Sequence, residues 1–124
     1  MGTDLKEDIR LVQNVRRNAY INNTNFTVGA VIKTKSGRKY TGCNIELSSL
    51  EMICAERVAL EKAISEGDRE FEYLVVMGGK HNQEAEKYLP SKECISFISK
   101  FVDEKFKIYV VYQSKIEEYN IDEF

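Results

Sequence analysis

The 124-residue sequence has no excess of positive charge. Its 18 Lys and Arg stand against 20 Asp and Glu, a formal charge of -2, with the two signs interspersed along the chain. No whole-chain field draws it to a phosphate backbone, which disfavours polynucleotide binding. Long apolar runs are also missing, so nothing reaches the length needed to span a bilayer, and Met1-Gly2-Thr3-Asp4-Leu5-Lys6 lacks the apolar stretch of a secretory signal. The expectation is a cytoplasmic protein with no membrane and no nucleic acid among its partners. An odd number of cysteines in such a chain argues against a disulfide framework and for reduced thiols available for packing or metal. Neither an internal repeat nor a low-complexity segment is present.

What is present describes an ordinary folded domain. The sequence is 43% hydrophobic and 31% charged, enough apolar side chain to form a core. At this length one domain, residues 1–124, is the expectation.

Apolar Leu5, Ile9, Val12 and Val15 recur at helical spacing from Asp4 to about Tyr20, with Thr3 or Asp4 able to cap the first turn. After the polar break Asn22-Asn23-Thr24-Asn25, the Val- and Ile-rich stretch Thr27 to Thr34 predicts a strand. Lys35-Ser36-Gly37 then supplies a hairpin turn, and Arg38 to Ile45 the return strand. A helix is expected from Ile53 to about Gly67 with Cys54 at its start, and Phe71 to Met77 reads as a buried strand ending at Gly78-Gly79. Lys80 to Lys87 is a polar loop leading to Pro90. Ser91 starts a third helix with Ile95, Ile98, Phe101 and Val102 on its apolar face, and Ile108 to Tyr112 is a last strand before a charged tail. A hairpin followed by alternating strands and helices predicts an α/β fold in which helices cover one mixed sheet.

Ile53-Cys54-Ala55-Glu56-Arg57 sets a thiol at a helix start, with a carboxylate two residues on. Unpaired amides and the helix dipole favour the thiolate, the form that binds zinc, while Glu56 can reach a metal-bound water. Zinc deaminases follow such a segment with Pro-Cys-x-x-Cys on a second helix start. Here the second segment reads Pro90-Ser91-Lys92-Glu93-Cys94.

With these residues the chain resembles the small homo-oligomeric cytidine deaminases, from about the first helix to the last strand. Phe26-Thr27-Val28-Gly29-Ala30 is similar to that family's Phe-x-Val-Gly-Ala. Thr41-Gly42-Cys43-Asn44-Ile45-Glu46 is similar to its Gly-x-Asn-(Ile or Val)-Glu, and Cys54-Ala55-Glu56-Arg57 to its Cys-Ala-Glu-Arg. The resemblance implies a cytidine deaminase-like three-layer α/β/α fold with a mixed five-stranded sheet, and a homotetramer serving pyrimidine salvage. It also implies hydrolytic deamination of cytidine or deoxycytidine by zinc-activated water, one Zn2+ per subunit. Carried over residue by residue, Glu56 is the proton shuttle, and Cys54 and Cys94 are zinc ligands. Phe26 and Ala55 line the nucleoside site, Asn44 and Glu46 hydrogen-bond the ribose, and Arg57 offsets thiolate charge.

The pattern breaks at Ser91, which stands where the family has a third thiolate. A neutral hydroxyl is a weak partner for zinc, and a serine after proline at a helix start is most simply an N-cap. Three outcomes stay open: zinc on Cys54 and Cys94 with water, zinc completed by Glu93 or His81, or no zinc. Cys43 reads as a small core residue, and His81, the single histidine, as an exposed loop residue. The family's Cys-Arg-Gln is Cys94-Ile95-Ser96 here, the Asn44 to Cys54 connection is one residue shorter, and Leu47-Ser48-Ser49-Leu50 lacks an aromatic. The family's C-terminal extension is expected to be cut short at Asp122-Glu123-Phe124. Two alternatives follow: a zinc-deficient deaminase-fold binding protein, or a deaminase of a modified cytosine nucleoside such as a nucleoside antibiotic.

Overall fold

The computed structural model describes residues 2–124, with side chains from Leu5 onward. Its elements in chain order are α1 (Gly2–Arg16), β1 (Phe26–Thr34), β2 (Lys39–Cys43), β3 (Ile45–Glu46), β4 (Met52–Ile53), α2 (Ala55–Ser65), β5 (Phe71–Lys80), α3 (Lys92–Ser99), β6 (Lys107–Tyr112) and β7 (Lys115–Asn120). A short 3-10 turn, Ile121–Glu123, follows. The side-chain cap expected at Thr3 or Asp4 lies outside the described residues.

Five strands form one mixed sheet in the order β2-β1-β5-β6-β7, antiparallel except for β5 with β6. The parallel pair needs a crossover, and α3 supplies it. Alternation along β1 sends Thr27 and Ala30 to opposite faces. Arg16 of α1 donates Nε to Thr27 Oγ1 at 2.9 Å. Gly42, the partner of Ala30, lies so close to α2 that a Cβ there would be 2.5 Å from the Ala55 carbonyl oxygen. Helix α1 therefore covers one face and α2 the other, with α3 packed beside α2. This is the expected three-layer α/β/α arrangement. Strands buried on both sides need apolar side chains pointing both ways, and Val31, Ile32, Leu74, Val75, Val76, Ile108 and Val110 are fully buried. Burying each such side chain contributes about 1.5–3 kcal/mol before the ordering entropy is set against it.

Three expectations need correction. The return strand breaks at Asn44, whose side chain turns back onto β1, and Ile45–Glu46 instead pairs with Met52–Ile53 in a two-stranded sheet. Helix α3 stops at Ser99, and Phe101 is half exposed, its ring 5.2 Å from that of Phe97. The charged tail contains a fifth strand, β7, an edge strand on which charge faces solvent; Gln113 and Ser114, both at positive φ, make the two-residue turn into it. No helix is long and apolar enough to cross a membrane among the described residues.

Candidate active site

Helices α2 and α3 begin side by side, next to the end of β5 where it pairs with the start of β1. Cys54 is the N-cap of α2, with extended backbone (φ -76°, ψ 153°) and no side-chain hydrogen bond to its own helix. Ser91 holds the same position on α3 and does use its side chain, accepting the Cys94 amide at 3.2 Å. The serine is thus the cap that the sequence suggests, and Cys94 lies three residues into the helix.

The Cα atoms of Cys54 and Cys94 are 6.9 Å apart and their sulfurs are joined as a disulfide. Two sulfurs brought together by two helix ends can share a cation when reduced or a bond when oxidised, and redox conditions choose between these states. Cys43 is the free cysteine among the described residues, half-buried, with its thiol pKa pushed up by burial.

Glu56 is fully buried in the first turn of α2. Its Oε2 accepts the Tyr88 hydroxyl at 2.8 Å, and its Oε1 has no partner. Burial pushes its pKa above the ordinary carboxylate value, opposed by its own backbone amide and by Tyr88. One Glu56 oxygen and the two cysteine sulfurs lie within 4.8 Å of one another, and no other His, Cys, Asp or Glu joins that group among the described residues. Glu93 borders the adjoining cavity and is exposed, whereas His81 lies in a separate cavity with Arg16 and Arg17. Neither reserve ligand is gathered in. Two thiols, once reduced, are donors of the kind zinc takes, with the third thiolate position given to a capping serine and the Glu56 carboxylate beside them.

Cys54 and Cys94 line a cavity of about 520 Å³ whose walls also include Phe26, Val28, Asn44, Ala55 and Tyr88. The Phe26 and Tyr88 rings, 5.9 Å apart, form an aromatic side. The Asn44 carboxamide accepts the Val28 amide at 2.8 Å and donates to the Phe26 carbonyl at 3.0 Å, so it fixes the start of β1 while bordering the cavity. Glu46 is buried, and its Oε1 accepts the amides of Thr24 at 2.7 Å, Asn23 at 2.9 Å and Asn22 at 3.3 Å. These donors, Thr24 first, hold its carboxyl below the ordinary value. Among the described residues its Oε2 accepts only the Thr24 hydroxyl, at 3.0 Å, which leaves capacity for a further hydroxyl donor.

Arg57 pairs with Glu61 at 3.1 Å and lies 4.1 Å over the Phe97 ring, and its buried Nε has no partner. Tyr88 and Thr24 are the residues that the sequence reading missed. The one visible signal for Tyr88 was an aromatic ring at the end of an otherwise polar loop, two residues before Pro90.

Residues 3–110 match the family described as the cytidine and deoxycytidylate deaminase zinc-binding region. The cytidine deaminase of Sporosarcina psychrophila is 33% identical over 108 residues, covering 86% of this chain and 76% of that protein. A blasticidin-S deaminase from Bacillus cereus is 27% identical over 101 residues, 77% of this chain and 71% of that one. The crystal structure of cytidine deaminase from Burkholderia pseudomallei superposes with a TM-score of 0.83 at 27% identity, over 95% of this chain and 93% of that chain.

Proposed function

Because this chain belongs to the cytidine and deoxycytidylate deaminase family, we propose that it is a hydrolase, one catalytic domain, that converts cytidine or deoxycytidine to the uridine product. The observation that carries the reading is the half-partnered, buried Glu56 carboxylate beside two cysteines that line an aromatic-walled cavity.

In this reading Cys54 and Cys94, as thiolates, would hold one zinc per subunit, and the cytoplasm is the compartment whose redox poise would keep them reduced. Zinc held there supplies Lewis acidity, the means by which such sites make water nucleophilic near neutral pH. Glu56 takes one proton of the attacking water and gives it to the ring nitrogen, then takes the proton of the new hydroxyl on the ring carbon and gives it to the departing amine, so that water and cytosine become uracil and ammonia. The elevated pKa of Glu56 suits a group that must hold a proton between these steps. Phe26 flanks the pyrimidine, Ala55 contributes wall, and Asn44 and Glu46 Oε2 receive the sugar hydroxyls. Arg57 offsets thiolate charge with its unpartnered Nε–H. A homotetramer is part of the reading, supported by exposed apolar side chains on the segment around β4, where Leu50 is 93% exposed and Leu47, Met52 and Ile53 are also open to solvent.

Zinc content and the loss of cytidine absorbance, measured on protein purified under reducing conditions, test this reading. Zinc with turnover supports it, while neither zinc nor turnover refutes it in favour of a binding protein built on the deaminase fold. A second reading, a modified cytosine nucleoside as substrate, is favoured by the similarity to a blasticidin-S deaminase. It predicts turnover of such compounds with cytidine left untouched.

A further inference from the structure

Among the described residues Tyr88 is the one side chain that hydrogen-bonds Glu56, and its position is built by the fold. The Glu86 amide donates to the Gly78 carbonyl at 2.9 Å, an isolated bridge that ties the loop after β5 back onto that strand. Two residues later the Tyr88 side chain crosses Gly78 itself. A Cβ at Gly78 would lie 2.9 Å from Tyr88 Cγ and 3.1 Å from Phe26 Cε2, so the absent side chain is what admits the aromatic pair. The Tyr88 hydroxyl then reaches Glu56 Oε2 at 2.8 Å.

A carboxylate at the end of a glutamate side chain turns in a broad, roughly two-fold well, so by itself it does not distinguish its two oxygens. A single fixed donor removes that degeneracy. We propose that Tyr88 is the positioning residue for Glu56: its hydroxyl commits Oε2 and thereby leaves the unpartnered Oε1 as the oxygen that exchanges protons, in a carboxylate that lies beside Cys54 and Cys94. The assignment rests on the deaminase reading and deepens it. Burial first, and then the Glu56 charge, raise the Tyr88 hydroxyl pKa, so it remains a donor throughout and does not act as a second base.

Tyr88→Phe keeps the ring against Phe26 and removes only the hydroxyl. The expected result is a kcat about tenfold lower, equivalent to about 1.4 kcal/mol of barrier, with KM for cytidine within about twofold and zinc content unchanged. In urea denaturation, Tyr88→Phe should lower the midpoint of the wild type but not that of Glu56→Ala. An unchanged kcat, a rise in KM alone, or additive urea shifts would each overturn the assignment. Wild-type protein with no turnover on any cytosine nucleoside removes the deaminase reading and this assignment together. An active wild type matched by Tyr88→Phe removes the assignment alone.

Discussion

Replacing Ser91 by cysteine sets two effects of opposite sign against each other. Ser91 Oγ accepts the Cys94 amide at 3.2 Å and is the side-chain cap of α3. A thiol is a poorer acceptor, and losing an N-cap typically costs about 1 kcal/mol. For a domain of this length that is a fall of roughly 3–5 °C in Tm. Against this, the variant gains a third thiolate next to the Cys54 and Cys94 pair, and three sulfur ligands hold zinc far more firmly than two. Zinc at a hundredfold excess over Kd adds about 2.7 kcal/mol of stability, more than the lost cap.

The two melting curves should therefore change places. Under reducing conditions with a chelator, Ser91→Cys melts below the wild type; with excess zinc it melts above. Thermal denaturation across a zinc series, with bound metal counted by a chromophoric chelator after desalting, reads both effects. If the metal-free variant is as stable as the wild type, the serine is not carrying the cap. If it retains no more zinc than the wild type, position 91 does not face the metal group, and the donor set argued above is wrong.

Oxidation should act at the same place. Protein treated with a disulfide oxidant is expected to show one reactive thiol, Cys43, and to take up no zinc until a dithiol reductant is added; equal zinc uptake in both states refutes the assignment of the cysteines. Glu56→Gln should abolish turnover while leaving fold and zinc content intact, because it removes a proton-accepting oxygen without changing shape, and an unchanged rate refutes the shuttle. Glu46 predicts a pH dependence. Its folded pKa lies below the ordinary value of 4.5, so its contribution to stability is present above that pH and is lost as the pH falls through the depressed folded value. The stability gap between wild type and Glu46→Gln, followed by urea denaturation across a pH series, should be widest near neutrality and close in acid; a constant gap contradicts the hydrogen-bonding account.

Periodicity carried most of the architecture because the elements that build the core are also those with strong patterns. The apolar run at β5 and the helical spacing of Val58, Leu60, Ala63 and Ile64 needed no tertiary context to be read. Strand β7 was illegible because Lys115, Glu117 and Glu118 are what an exposed edge strand looks like, and the same residues look like a tail when nothing reveals the neighbouring β6. The cysteine and glutamate pair was legible only through the order of motifs, since each alone is an ordinary helical residue. The partners of Glu46 and Glu56 were not legible at all. Thr24 lies 22 residues from Glu46, and Tyr88 lies 32 from Glu56. A hydrogen bond at such separation leaves no periodic trace in the sequence.

The departures from the family pattern are unevenly distributed, and the fold explains why. Phe26, Val28, Asn44 and Glu46 come from β1 and the segment after β2, where strand pairing fixes them: Val28 is in register with Gly78, and Asn44 is bonded to β1 at two points. Ser91, Ile95 and Ser96 follow the loop after β5 that carries Tyr88, and Leu47 to Leu50, which also departs, lies in the turn between β3 and β4. Loops and the helix starts they feed tolerate change better than a paired strand does. The site thus has a strand-borne half that would hold a nucleoside and a loop-borne half that would set the grip on metal and the aim of the Glu56 carboxylate. A change such as serine at position 91 can retune the second half without disturbing the first, because no hydrogen bond of Ser91 reaches beyond the first turn of α3 among the described residues.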